Sequence, residues 1–448
     1  MSRLILGLRC IVIVVALQMV AMVLPARAIE IQEVTSPGGI KAWLVQSPTV
    51  PLIAMNFAFE GGAALDPPGK EGLANFLTGM LDEGAGDLDS KTFQAKASDL
   101  AMKMSFSSDL DSFEGSFQTL SRNRDEAFKL LKLAITSPRF DDEPMERVRG
   151  QFLVSARSDL EDPETMASRA WMKRAFGDHP YGREADGTPA SIAKITTQDL
   201  RDAHSKLFTR KGLTIAVVGD IDPETLKKLL DDTFGALPDH GPAAAPREAL
   251  GAPGPALEII DQDMPQSIII FGGPGIKRDD PEFIPAYIMT QILGGGSFGS
   301  RLTDEVREQR GLTYGVGLSL YPLDEAGVVL GSLGTRNEKA GEALDVVKSV
   351  MKRFADEGPT QRELDEAKTY LTGSYALRFD SNAKIASQLL AIQQDNLGID
   401  YVNKRNAMID AVTLDQVKAQ AKRLIDPANM IVTVVGRPKG IGAAQSAN

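Results

Sequence analysis

The stretch PLIAMNFAFEGG at residues 51–62 reads as one apolar strand running into a polar turn, and it has a counterpart 214 positions later, PQSIIIFGGPG at residues 265–275. A second pair repeats at almost the same distance: LTIAVVG at 213–219 and MIVTVVG at 430–436 are 217 apart. Two separate strand pairs holding nearly one register argue for a duplicated domain, because chance resemblances between apolar strands share no common offset. Between the copies run LPDHGPAAAP at 237–246 and GAPGP at 251–255, whose prolines and small residues build no packed element. The chain therefore divides into a first half at 29–237, a linker at 238–256 and a second half at 257–448.

Within each half short β-rich runs alternate with long amphipathic stretches, expected as helices over 122–135, 141–160, 338–356 and 360–377. Strands close enough for a hairpin at 102–119 point to mostly antiparallel sheets with helices packed on one face, an α+β class.

The first 28 residues read as an export signal. Arg3 and Arg9 precede an apolar run from Cys10 to Leu24, and Pro25-Ala26-Arg27-Ala28 places small residues at the −3 and −1 positions of a cleavage site after Ala28. The run is shorter than the roughly 20 residues of a spanning helix, and Cys10 lies inside it behind bulky Arg9, a poor setting for a lipid-modified cysteine. A periplasmic or secreted destination is expected. The single cysteine leaves with the signal, so thiol chemistry and disulfides are excluded from the remainder. Arg3, Arg9 and Arg27 leave too, and 46 basic against 60 acidic residues give −14, which disfavours nucleic acid and anionic lipid as partners.

The three histidines, His179, His204 and His240, are 25 and 36 residues apart, so no two share a helical face as zinc ligands four apart would. No G-x-S-x-G elbow supports a serine nucleophile. Gly294-Gly295-Gly296-Ser297-Phe298-Gly299 matches the dinucleotide glycine pattern in letters, but Pro281 to Leu293 reads as a helix where that fingerprint requires a strand. A loop at a helix end is the plain reading, with the backbone of Gly294, Gly295 and Gly296 as a possible surface for peptide.

The turn Glu60-Gly61-Gly62, the helix start Gly72-Leu73-Ala74, His179-Pro180-Tyr181-Gly182-Arg183, Val217-Val218-Gly219-Asp220, the glycine loop, and Ser300-Arg301-Leu302 followed by Arg307 and Gly311-Leu312-Thr313-Tyr314 occur in this order along the chain. Together they resemble the pitrilysin or insulinase-type zinc metallopeptidases, particularly the short two-domain form related to mitochondrial processing peptidase subunits. The resemblance implies the processing-peptidase, LuxS-like metallohydrolase fold in each half. It also implies an H-x-x-E-H helix, in which two histidines bind zinc and the glutamate acts as base. Here Asn75, Thr78 and Gly79 stand at those three positions, and the family's third ligand, a glutamate, would fall near Ser155 to Arg157, where there is none. No metal or other cofactor is expected on this chain.

Arg307 and Tyr314 fall where the family carries an arginine and a tyrosine seven residues apart. Arg307 is expected near the end of a helix at Ser300 to Gln309, with Gly311 as its stop and Tyr314 opening a strand to Tyr321. The resemblance implies that this pair holds a peptide carbonyl and stabilises the oxyanion in a partner's active site. The expected function is the non-catalytic subunit of a heterodimeric zinc peptidase, with a paralogous H-x-x-E-H chain supplying zinc. Peptide would add to the sheet edge near Met104 to Ser108. The alternative is a homodimer that holds peptides without cleaving them.

Overall fold

The structure, a computed structural model, describes residues 29–241, 254–295 and 299–442. The proposed signal, Gly296 to Phe298 of the glycine loop and the greater part of the proposed linker lie outside these residues. Ala256, assigned to the linker from sequence, is already the first residue of a strand.

The first sheet contains β1 (Gln32–Thr35), β2 (Lys41–Gln46), β3 (Leu52–Glu60), β6 (Lys103–Ser108), β7 (Ser112–Leu120) and β8 (Leu213–Gly219); β4 (Gly84–Ala85) and β5 (Leu88–Asp89) form a small pair apart from it. The second contains β9 (Ala256–Ile260), β10 (Gln266–Pro274), β11 (Val316–Pro322), β12 (Gly327–Arg336) and β13 (Ile431–Val435). Their orders, β1-β2-β8-β3-β7-β6 and β11-β12-β10-β13-β9, coincide strand for strand once β1 is set aside. Pairing is antiparallel except for β2 with β8 and β9 with β13.

The duplication extends to register. Ala54 pairs with Val218, and at the two offsets read from sequence Ile268 pairs with Val435. Gly219 and Gly436 close these strands at φ +146° and +131°, and a Cβ would lie 2.2 Å from the Leu52 carbonyl oxygen in one half and 2.8 Å from that of Gln266 in the other. Each glycine is thus required twice over, by its dihedral and by the approach of its neighbour. Opposite Phe57 and Phe271 the facing strands carry Gly115 and Gly331, where a Cβ would come within 2.2 and 2.5 Å of the rings.

Each half lays its own helices on one face of its sheet, and the other half closes the opposite face. The helix Pro163–Phe176 lies on the second sheet, where Trp171 Nε1 donates to the Ile431 carbonyl (3.2 Å) and Thr433 Oγ1 donates to that of Ala167 (2.8 Å). Reciprocally, the helix Asn382–Gln394 lies on the first sheet, and Gln393 Nε2 donates to the Ile215 carbonyl (3.1 Å). Burial on both faces explains why β3 and β13 read as continuous apolar runs rather than alternating ones. Trp171 is 1% exposed at this junction, so Trp171→Ala is expected to destabilise the chain by about 3–5 kcal/mol, read as a lower urea midpoint; an unchanged midpoint would contradict the mutual bracing of the halves.

Candidate functional site

The helix Leu73–Thr78 is positioned by its N-terminal turn. Gly72 has φ +85°, and a Cβ there would meet the Asp186 carbonyl oxygen at 2.7 Å. The Asp66 carboxylate accepts from the backbone N–H groups of Leu73 (2.9 Å) and Ala74 (3.0 Å), satisfying donors that a helix start leaves unpaired. Arg183 ties the segment down by donating to the carbonyls of Asp66 (2.8 Å) and Ala64 (3.2 Å).

Burial pushes the Asp66 carboxyl up to about 7, overriding the lowering by these amides and by Arg183. The folded chain therefore binds this proton more tightly than the unfolded chain does. The stability it contributes is fully present below the ordinary value of 3.8 and is lost as pH rises through about 7. Asp324, pushed up to about 6 by burial and by Asp111, acts with the same sign. Stability is expected to fall between pH 5 and pH 8. Asp66→Asn, neutral throughout and still an acceptor, is expected to flatten that fall; urea unfolding at the two pH values measures it, and an unaltered slope would remove Asp66 as its source.

The helix stops at Gly79, where packing replaces chemistry. A Cβ on Gly79 would lie 2.9 Å from Phe152 Cε2 and 3.1 Å from Val148 Cγ1. The rings of Phe76 and Phe152 are 5.3 Å apart, and the Arg149 guanidinium sits 5.5 Å from the Phe76 ring. Asn75 Nδ2 donates to Asp186 (3.2 Å), and the Thr78 hydroxyl donates to the Asn75 carbonyl (2.6 Å). A glycine, an amide already engaged and a hydroxyl turned onto its own backbone do not fit a zinc ion. Near the third position, on the helix Asp142–Asp159, Ala156 is buried while Ser155 and Arg157 are exposed. Val148, Phe152 and Ala156, spaced by four, share one helical face, an apolar replacement that sequence reading missed because nothing local links Phe152 to Gly79. Among the described residues no group of three or more His, Cys, Asp or Glu side chains forms a metal-holding cluster.

The histidines are dispersed. His204 stacks on Phe208 at 4.5 Å, with Nε2 2.9 Å from the Ile135 carbonyl, and burial lowers its pKa. His179 Nδ1 accepts from the Tyr181 N–H (3.2 Å), while His240 is exposed.

Arg307 and Tyr314 flank one tightly held turn. The segment expected as a helix from Ser300 to Gln309 is helical, and π-helical over Thr303–Glu308, with Arg307 inside it and Gly311 at φ +61° just beyond its end. Single-turn π segments recur at functional sites, and no sequence rule announced this one. The strand begins at Val316 rather than at Tyr314 because Thr313 pins the approach. Its hydroxyl oxygen lies 2.7 Å from the carbonyl oxygens of both Gly315 and Gly334, which share its one proton, and the Thr335 hydroxyl donates to the Leu312 carbonyl (2.5 Å). Tyr314 is left 89% exposed on a fixed backbone, and its hydroxyl makes no hydrogen bond to the described residues. Arg307 is half-exposed, with Nε 3.5 Å from Glu308. Gly294 ends the helix Phe283–Gly294 and presses on β11, where a Cβ would lie 2.7 Å from that of Leu318; the expected helix before the glycines is present.

Two sheets of one topology, a two-half α+β shell and a metal helix without ligands define a peptidase-like scaffold that does not carry the peptidase's metal site. The chain belongs to the M16 metallopeptidase family, the pitrilysin or insulinase type, as a non-peptidase member. A family model described as Peptidase M16 inactive domain matches residues 194–371. A solved structure of a peptidase M16 inactive domain from Pseudomonas fluorescens is 31% identical, with a TM-score of 0.85 over 92% of this chain and 98% of that one. A Helicobacter pylori protein named non-peptidase homolog YmxG is 29% identical over 341 residues, 76% of this chain and 78% of its own length. A Mycobacterium leprae protein named uncharacterized zinc protease ML0855 is 25% identical over 411 residues, 90% and 91% of the two chains.

Proposed function

We propose that this chain is the non-catalytic subunit of an exported, heterodimeric zinc peptidase. A paralogous partner with an intact H-x-x-E-H helix brings zinc and the glutamate base, and this chain brings Arg307 and Tyr314 to the shared active site. The observation that carries the reading is Tyr314: a phenol 89% exposed, its hydroxyl bonded to none of the described residues, on a turn held by the hydroxyls of Thr313 and Thr335, is free to meet a surface outside its own half. Donors fixed before substrate arrives stabilise a developing oxyanion without reorganisation. Peptide enters as an added strand on β6, whose residues Met104 to Ser108 run along a sheet edge.

Co-expression with an exported H-x-x-E-H paralogue tests this. The two are expected to co-purify, with peptide cleavage by the complex and none by this chain alone. A chain that pairs only with itself and binds peptide without cleavage would favour the homodimeric holding protein instead.

A further inference from the structure

The second half contains a cavity of about 710 Å³ that owes nothing to the metal helix. It wraps the outer edge of β11, with Gly317 to Leu320 on one side, the helix Phe283–Gly294 on another, and the segments around Tyr375 and Tyr401–Ala411 closing it. Its charge is opposite to that of the chain. Arg278, Arg378, Asp395 and Arg405 are the charged residues that line it, three cations to one carboxylate in a protein of net charge −11.

Those charges are not equally available. Arg278 and Asp395 neutralise one another, with Nε 3.0 Å from the carboxylate, and the Arg278 guanidinium also lies 4.1 Å from the Phe283 ring and donates to the Tyr401 hydroxyl (3.1 Å). Arg405 is different. It is 94% buried and stacked on the Tyr375 ring at 4.2 Å, and its Nη1 donates to the Leu371 carbonyl (3.1 Å) and to Asn406 Oδ1 (3.2 Å). Among the described residues its Nε and Nη2 donate to nothing and no carboxylate pairs with it. Tyr375, 93% buried, has a hydroxyl with no hydrogen-bond partner among them, and burial pushes that hydroxyl up to about 12, so it remains a neutral donor at any physiological pH.

Both residues line the cavity, so these donors are open to it, and a guanidinium with no carboxylate beside it is a ready partner for an anion. Two unspent donors side by side at the wall of an open cavity mark a place where an anion completes the set. A carboxylate suits it, because it accepts from the planar guanidinium and from a phenol at once. The apolar lining and the free edge of β11 suit an extended chain leading up to that carboxylate.

The geometry points to a carboxylate-binding site in the second half, formed by Arg405 and Tyr375 with Arg378 at its rim, that anchors an extended peptide lying along β11. The carboxylate comes from the peptide's C-terminus or from an acidic side chain, and the chemistry at the site is the same. This site is separate from Arg307 and Tyr314, needs no partner and involves no cleavage, so its failure leaves the subunit reading untouched.

Fluorescence anisotropy on the purified full chain tests it, using three N-terminally labelled hexapeptides of alanine and valine: one with a free C-terminus, one amidated, and one amidated with glutamate at the last position. At least one carboxylate-bearing peptide is expected to bind ten-fold or more tighter than the neutral amide, and the one that does identifies the source of the carboxylate. Tyr375→Phe, which removes only an unbonded hydroxyl, is expected to reduce that preference several-fold with the fold unchanged, and Arg405→Gln to abolish it. Equal binding of all three peptides, or a preference that survives in correctly folded Tyr375→Phe and Arg405→Gln, would overturn the site.

Discussion

Asn75→His, Thr78→Glu and Gly79→His introduced together are expected to leave the chain without a stoichiometric zinc and to lower its stability by about 1–3 kcal/mol, the usual cost of overpacking a filled site. The reason is geometric rather than compositional. Even the first carbon of a side chain at Gly79 meets the Phe152 ring at 2.9 Å and Val148 at 3.1 Å, so an imidazole has no room until Phe152 yields. Phe152→Ala alone is expected to destabilise through a cavity, but in the triple variant it is expected to recover stability. That reversal is a coupling between neighbours of the size a double-mutant cycle resolves, about 0.5–3 kcal/mol. Metal analysis after dialysis and urea unfolding of the four proteins measure both parts. One zinc per chain in the triple variant at unchanged stability would show that the site was merely stripped of ligands and not rebuilt as core.

The repeat made the fold legible because a strand's apolar pattern and its closing glycine are local properties, and Gly219 and Gly436 serve the same turn in both halves. The exchange of helices between the halves was not legible. Nothing in Pro163–Phe176 says which sheet it covers, since an apolar face fits either and only the tertiary pairing of Trp171 with Ile431 decides. Loss of the metal ligands could be read from Asn75, Thr78 and Gly79 one residue at a time. What replaced them could not, for Phe152 lies 73 positions from Gly79 and meets it only through packing between helices. Arg405 and Tyr375 stayed hidden for the same reason: their significance is that they meet, 4.2 Å from guanidinium to ring, at the wall of a cavity, which is a property of the folded surroundings and not of any motif.

In the complex with a zinc-bearing partner, Tyr314→Phe and Arg307→Ala are each expected to reduce kcat by about 10²- to 10³-fold, the cost of losing one oxyanion donor. Tyr314→Phe is the cleaner of the two. It deletes a hydroxyl that bonds to nothing described in its own chain, on a residue 89% exposed, so stability is expected to stay within about 0.5 kcal/mol and association with the partner to be unchanged. The division between kinetic constants then identifies the role. A donor that acts on the developing oxyanion lowers kcat and kcat/KM together, whereas one that merely holds substrate raises KM and leaves kcat alone. Arg307→Lys separates charge from shape, because an ammonium keeps the charge of the guanidinium and loses its planar fork; a rate between those of the wild type and Arg307→Ala is expected. Wild-type turnover from both the Tyr314→Phe and Arg307→Ala complexes would take the pair out of the active site, and the exposure of Tyr314 would then have to be explained by contact with the partner alone.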